Sequence, residues 1–309
     1  AMPAAALIIP VRYFPPERRG SAIGMTAAGV ALGSALAPFI TALITSIADW
    51  RWLFLPSLLM PALLPRFRKY LEYEPKETRQ PFDWIGGILF AAALALILVG
   101  VTDQIRACLA AAILPFSLFL IRIRKAKFPF IDPMLFENKA YVVGLLLIAL
   151  ISGIGISLYI VPPILFAHRF HMDTGLIGFA MVPAAAAAAL LGRKGGKLAD
   201  RKGNGFVFAA ASGSLIACFL LLSSFSAHSA AALAIILMLG NSGQTFMQTA
   251  MANTVSKTLP ASRTGAGMGL YSMTGFISQG IGTVIYGLAA ERHPSIGWNP
   301  LYHDADGIV

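Results

Sequence analysis

The chain has 309 residues, 57% of them apolar and only 12% charged, with a net charge of +10. Soluble globular domains average roughly 45–50% apolar and about 25% charged. With a mean hydropathy of +0.72, this composition excludes a water-soluble enzyme, a disordered chain and a nucleic-acid-binding domain. The two cysteines, Cys108 and Cys218, lie inside apolar runs. They read as small core residues, and a disulfide-stapled module is excluded with the rest.

A helix needs about 20 largely apolar residues to cross a bilayer. In chain order the sequence offers ten apolar segments: 1–14, 21–47, 52–65, 84–102, 107–121, 140–167, 174–192, 204–227, 229–256 and 264–290. Segment 1–14 looks truncated at its start. Segments 52–65 and 107–121 are short and must borrow flanking residues such as Trp50, Trp52 or Arg122, whose side chains reach the interface. No stretch alternates apolar and polar residues over strand lengths, so a transmembrane barrel is excluded. The expected fold is an all-α polytopic membrane protein with about nine complete transmembrane helices plus one truncated at the start.

Letting the chain change sides at each segment sorts the basic residues. One side receives 20 of the 24 Lys and Arg, and the other only Arg51, Arg106, Arg169 and Arg292. A miscounted span would invert every later loop and mix the two sets. The positive-inside rule makes the richer side cytoplasmic, which implies a multi-pass protein of the cell membrane. The first residue is Ala1 and the last loop, 291–309, precedes no anchor, so the chain is expected to be an internal piece of a longer protein.

Two motifs stand on this frame. Between 193 and 203, Gly196, Asp200, Arg201 and Gly203 follow the spacing G-x-x-x-D-R-x-G. The glycines permit a tight turn between two helices, with Asp200 and Arg201 placed to cap helix ends and pair across the gap. In segment 21–47, Gly24, Gly33, Ala37 and Pro38 follow G-x8-G-x3-G-P-x2-G-G, with Ala37, Thr41 and Ala42 in place of three glycines. Small residues at four-residue intervals let helices approach closely, and the proline removes a backbone hydrogen bond.

The first of these resembles the cytoplasmic loop motif of the major facilitator superfamily, the second its fifth-helix antiporter motif. Pro16-Glu17-Arg18-Arg19-Gly20, Asp49-Trp50-Arg51-Trp52-Leu53-Phe54, Phe82-Asp83-Trp84-Ile85-Gly86 and Phe130-Ile131-Asp132-Pro133 resemble the fourteen-helix drug:proton antiporters. The run from Thr264 to Leu270 and on through Gly280-Ile281-Gly282 looks most like tetracycline efflux pumps. The resemblance implies a major facilitator fold divided into four parts. Residues 1–65 would be the remnant of an N-terminal bundle, 66–127 a cytoplasmic link with two extra central helices, 128–290 a C-terminal bundle, and 291–309 an external loop before a further helix. It also implies export of a drug-like amphiphile, of tetracycline type or as a drug–metal chelate, in exchange for protons. The alternatives are a general multidrug exporter or a non-functional fragment. No cofactor or metal is implied, and the partners are drug, protons and lipid.

Related pumps carry a glutamate where Gln279 stands, and an amide cannot carry the proton. All fourteen acids lie in loops or at span ends, so a proton-carrying carboxylate is expected in the amino-terminal helices that precede this chain. Polar residues within spans are costly and therefore informative. Asn241, Gln244, Thr245 and Gln248 share one helical face, Tyr271, Thr274, Ser278 and Gln279 another, and Ser152 lies seven residues before Tyr159. We expect these to line a substrate cavity, the alternative being helix–helix hydrogen bonding. Three features carry no chemistry of their own. The glycines at 265, 267 and 269 open a membrane helix and follow no strand. His168 and His171 lack the ligand partners of a metal site, and with Asp173 form the only local candidate for a membrane enzyme. The tract Ala184–Ala189 suits close helix packing.

Overall fold

The computed structural model describes residues 9, 13–15, 18–58, 65, 83–102, 105–225, 229–260 and 263–291, several of them by backbone alone. Nearly all of the expected segment 1–14, the link 66–82 and the loop 292–309 lie outside the described residues. Every regular element described is helical. In chain order these are α1 (Arg19–Ile47), a 3-10 helix (Trp50–Leu58), α2 (Trp84–Thr102), α3 (Arg106–Lys125), a short 3-10 helix (Pro133–Glu137), α4 (Lys139–Gly155), α5 (Ser157–Phe170), α6 (Thr174–Lys202), α7 (Asn204–Phe225), α8 (Ala230–Thr258) and α9 (Thr264–Glu291). Six described stretches are long and apolar enough to cross a membrane: α2, α3, α4 together with α5, α6, α7 and α8.

Local chemistry sets the ends. Asn138 caps α4, its side-chain oxygen accepting from the Tyr141 amide while its Nδ2 donates to the Thr258 carbonyl at 2.7 Å. Ser229 caps α8 by accepting from the Ala231 amide. Both leave extended backbone just before the first helical turn, the N-cap geometry that satisfies orphan amides.

Two expectations need correction. Segment 52–65 opens as a nine-residue 3-10 helix, Trp50–Leu58, not as an α-helix; positions 59–64 lie outside the described residues. The supposed loop at 193–203 is mostly helix, because α6 continues to Lys202. Charge stops a segment from being apolar, but it does not stop a helix. Leu, Ala, Lys and Arg are all good helix formers, so α6 carries its basic turns past the apolar stretch. Only Gly203, at φ +87°, leaves the helix, and its amide bonds back to the Ala199 carbonyl.

Helix α8 lies at the centre, packed by α6, α7, α1 and α4. In its most apolar stretch 56% is buried, against 17% in α2 and 11% in α3. The last two pack chiefly on each other and turn Ile88, Ile113 and Leu114 outward, as suits lipid. Within a bilayer, helix association rests on close packing and hydrogen bonds rather than on hydrophobic exclusion. The tightest such contact joins α1 to α6. A Cβ on Gly24 would lie 2.6 Å from the Gly192 carbonyl oxygen, and one on Gly196 would collide with the Gly20 carbonyl. In the alanine tract, Ala184, Ala185 and Ala188 are buried.

The α2–α3 pair is tied at its base by Asp83. This buried carboxylate accepts from the Gly86 amide at 3.0 Å, from Arg122 Nε at 2.9 Å and from the Phe130 amide at 3.3 Å. Burial pulls its pKa upward, but the two amides and the Arg122 guanidinium outweigh burial and hold it below the usual carboxylate value.

Candidate binding cavity

A cavity of about 480 Å³ opens between four elements. Helix α1 contributes Ile23, Thr26, Ala27 and Val30. The α4–α5 stretch contributes Ile148, Ser152, Ile156 and Tyr159. From α8 come Gln244, Thr245, Gln248 and Ala252, and from α9 Tyr271, Ser272, Gly275, Phe276 and Gln279. None of these lining residues is charged.

Seven of the ten residues expected from the sequence to line a cavity do so: Ser152, Tyr159, Gln244, Thr245, Gln248, Tyr271 and Gln279. Asn241, Thr274 and Ser278 do not, and the Thr274 hydroxyl donates to the Leu270 carbonyl one turn back. The α8 part of the wall runs from Gln244 to Ala252, and Asn241 lies almost a turn beyond it, buried among packed helices. Ser278 faces α4 instead, with its carbonyl 3.5 Å from where a Gly153 Cβ would stand. Met247 and Met251, which share α8 with the carboxamides, belong to the hydrophobic core. The α1 wall was not visible in the sequence. Ile23, Ala27 and Val30 look like any membrane-facing residues, and only the hydroxyl of Thr26 offered a signal.

The polar groups of the wall differ in what they have left to offer. The hydroxyls of Thr26, Thr245 and Ser272 donate to carbonyls one turn back in their own helices, a local bond that satisfies the proton. Gln244 donates through Nε2 to the Ile151 carbonyl at 3.0 Å. Its Oε1 and the Tyr271 hydroxyl are buried and have no hydrogen-bond partner among the described residues. Desolvated polar atoms of this kind cost roughly 1–3 kcal/mol each until a partner arrives.

The sequence motifs sit at one end of α6 and along α1. Asp200 accepts from the amides of Gly20 and Ser21, both at 2.9 Å, on the first turn of α1. A carboxylate there complements the partial positive charge of a helix N-terminus. Gly196 is not a turn residue, as the spacing suggested, but a contact glycine inside α6 that admits the α1 backbone. Arg201 is exposed in the last turn of α6, where a cation complements the helix C-terminus. Gly24 packs against α6, whereas Gly33 and Ala37 are exposed and a Cβ on Gly33 would meet nothing within 4 Å. Helix α1 runs on through Pro38.

The Major Facilitator Superfamily matches residues 1–283. The chain is 30% identical over 181 residues to multidrug resistance protein 3 of Bacillus subtilis, covering 55% of this chain and 35% of that protein. It is 27% identical over 214 residues to the riboflavin transporter RibZ of Clostridioides difficile, covering 65% and 45%. It is 26% identical over 287 residues to the multidrug resistance protein Stp of Mycobacterium tuberculosis, covering 88% and 52%. The chain thus spans between about a third and about half of these relatives' lengths. With its helical architecture and its match over residues 1–283, the chain belongs to the Major Facilitator Superfamily, as a multi-pass membrane protein related to transporters rather than to enzymes.

Proposed function

We propose that the protein exports drug-like amphiphiles across the cell membrane by alternating access, in exchange for protons. The cavity carries this reading. Its volume of about 480 Å³ falls in the range of drug-sized sites, and such sites are mostly apolar with a few placed polar groups. Rings can pack on Tyr159, Phe276 and Ile148, while Gln244, Gln248 and Gln279 exchange hydrogen bonds with a polar edge. The names of the two multidrug resistance relatives support a broad range of cargo. A tetracycline or its metal chelate, the cargo implied by the run from Thr264 to Gly282, is the narrower second reading.

Proton exchange needs a carboxylate in the membrane interior. Among the described residues, the acids Asp49, Asp83, Asp132, Glu137, Asp173, Asp200 and Glu291 sit at or near helix ends or in connections, and none belongs to the cavity wall. We place the proton carrier in a part of the protein other than this wall. Asp200, near the end of α6, accepts from the first turn of α1 and acts as a latch on the basic face, the face we assign to the cytoplasm.

The test is ethidium transport into everted vesicles that carry the full-length protein. An imposed proton gradient should drive uptake, an uncoupler should abolish it, and Gln248→Leu should lower uptake at subsaturating dye by roughly fivefold. No gradient-dependent uptake, with insertion verified, would overturn the reading.

A further inference from the structure

The long stretch from Lys139 to Phe170 spans 32 residues but is not one uniform helix. It is interrupted at Ile156, where the amide reaches the carbonyls of both Ser152 and Ile154. Ser157 then spends its hydroxyl on the Ile154 carbonyl at 2.7 Å. Pro162 and Pro163 lie inside α5 and bring no amide hydrogen to the preceding turn. Loosened backbone at membrane depth is tolerated where it is buried in protein or lines a cavity. Ile156 and Tyr159 line this one.

Gln244 reaches across from α8 to this break. Its Nε2 holds the Ile151 carbonyl at 3.0 Å. Gly155 provides the seat, since a Cβ there would collide with the carboxamide. With Nε2 committed, Oε1 remains as an acceptor, and it is buried without a partner among the described residues. Gln244 as a whole is only 4% exposed, yet it forms part of the cavity wall. One planar amide therefore holds the break at one end and lacks a donor at the other.

We infer that Gln244 reads a hydrogen-bond donor on the cargo and transmits its presence to the α4–α5 break. This rests on the cavity being the cargo site. A cargo N–H or O–H that satisfies Oε1 moves the same rigid amide that holds Ile151, so the break responds to occupancy. The cargo class addressed in this way comprises amphiphiles bearing an arylamine, amide or phenol donor. Amphiphiles without a donor occupy the cavity but leave the break as it is. Gln244 is a positioning residue in this account.

The experiment uses the full-length protein with Cys108→Ser and Cys218→Ser, and spin labels on Val143→Cys and Ala167→Cys. Both sites are exposed, and they lie on opposite sides of the break, about 36 Å apart by helical rise. The probes are ethidium, a planar cation with two arylamine groups, and tetraphenylphosphonium, a cation with no donor. Saturating ethidium should shift the distance distribution between the labels, and tetraphenylphosphonium should not. Gln244→Leu should abolish the ethidium shift and weaken ethidium binding roughly fivefold, with tetraphenylphosphonium affinity within about twofold of wild type. Gly155→Ala, which displaces the carboxamide without changing its chemistry, should abolish the shift as well. An ethidium shift that persists in Gln244→Leu at saturation overturns the inference, as does an equal shift with tetraphenylphosphonium. Failure of the underlying site has its own signature: Gln248→Leu, in the same wall but away from the break, would then leave the affinity of both probes unchanged.

Discussion

Asp200, near the end of α6, places one carboxylate oxygen 2.9 Å from the Gly20 amide and the other 2.9 Å from the Ser21 amide. One side chain thereby satisfies two orphan donors at the start of α1 and neutralises that end of its dipole. The contact is possible because Gly20 and Gly196 let the two backbones meet. Capping interactions of this type contribute about 1–2 kcal/mol. Asp200→Ala should therefore loosen the α1–α6 face. In a cysteine-free background, Ser21→Cys should react with a thiol reagent about tenfold faster when Asp200 is replaced. An unchanged rate would remove the latch from the account.

The glycine contact makes a separate prediction. Gly196→Ala adds a methyl group that meets the Gly20 backbone, which cannot yield as a flexible side chain can. Overpacking of this kind costs about 1–3 kcal/mol. The variant should lower the melting temperature of the purified protein by several degrees. Gly33→Ala, at a position where an added Cβ meets nothing, should leave it unchanged or slightly raised.

Asp83 makes the joint between α2 and α3 pH-sensitive at the acid end. An aspartate titrates near 3.9 in an unfolded chain, and here the Gly86 and Phe130 amides with Arg122 hold it lower despite burial. A group with a depressed folded pKa contributes stability above its unfolded value and loses it as pH falls through the folded one. Stability should therefore decline below about pH 4. Asp83→Asn should be less stable at neutral pH by about 1–3 kcal/mol, a modest figure since Arg122 is 38% exposed, and should lose less on acidification. Thermal unfolding in detergent across pH 3 to 7 checks both slopes.

Much of the fold was legible because a bilayer demands long apolar helices. The runs that became α2, α3, α7 and α8 matched structural helices closely, and 140–167 proved to be one spanning stretch with a break. Apolarity could not locate the end of α6, since a helix that leaves the membrane keeps its hydrogen bonds while its side chains become basic. The spacing around Gly196 likewise read as a turn, because a glycine needed for close approach and one needed for positive φ look alike in sequence. Of these two motif glycines, only Gly203 has a positive φ. For the cavity, the cost of burying carboxamides marked Gln244, Gln248 and Gln279. Helical periodicity assigned Asn241 to the same face but could not say how far along α8 the cavity extends. Apolar lining such as Val30 leaves no mark in one sequence.

The orientation proposed from the basic residues has a direct check. With the 20-to-4 distribution of Lys and Arg, Lys197→Cys should label only from the cytoplasmic side and Ser229→Cys only from outside. Labelling of the Lys197 position by an impermeant reagent added to intact cells would invert the assignment.

The central claim is that the wall shared by α1, the α4–α5 stretch, α8 and α9 binds the cargo. The most direct measurement is the equilibrium affinity of the purified full-length protein for ethidium, compared between wild type and the single variants Gln248→Leu and Gln279→Leu. Both side chains are half-buried in the cavity wall, and each replacement removes one carboxamide while keeping the bulk. We expect each to weaken binding roughly fivefold, the equivalent of about 1 kcal/mol per hydrogen bond to a neutral partner group, with unfolding temperatures unchanged. Affinities equal to wild type in both variants would show that these carboxamides only join helices and that the cargo binds elsewhere.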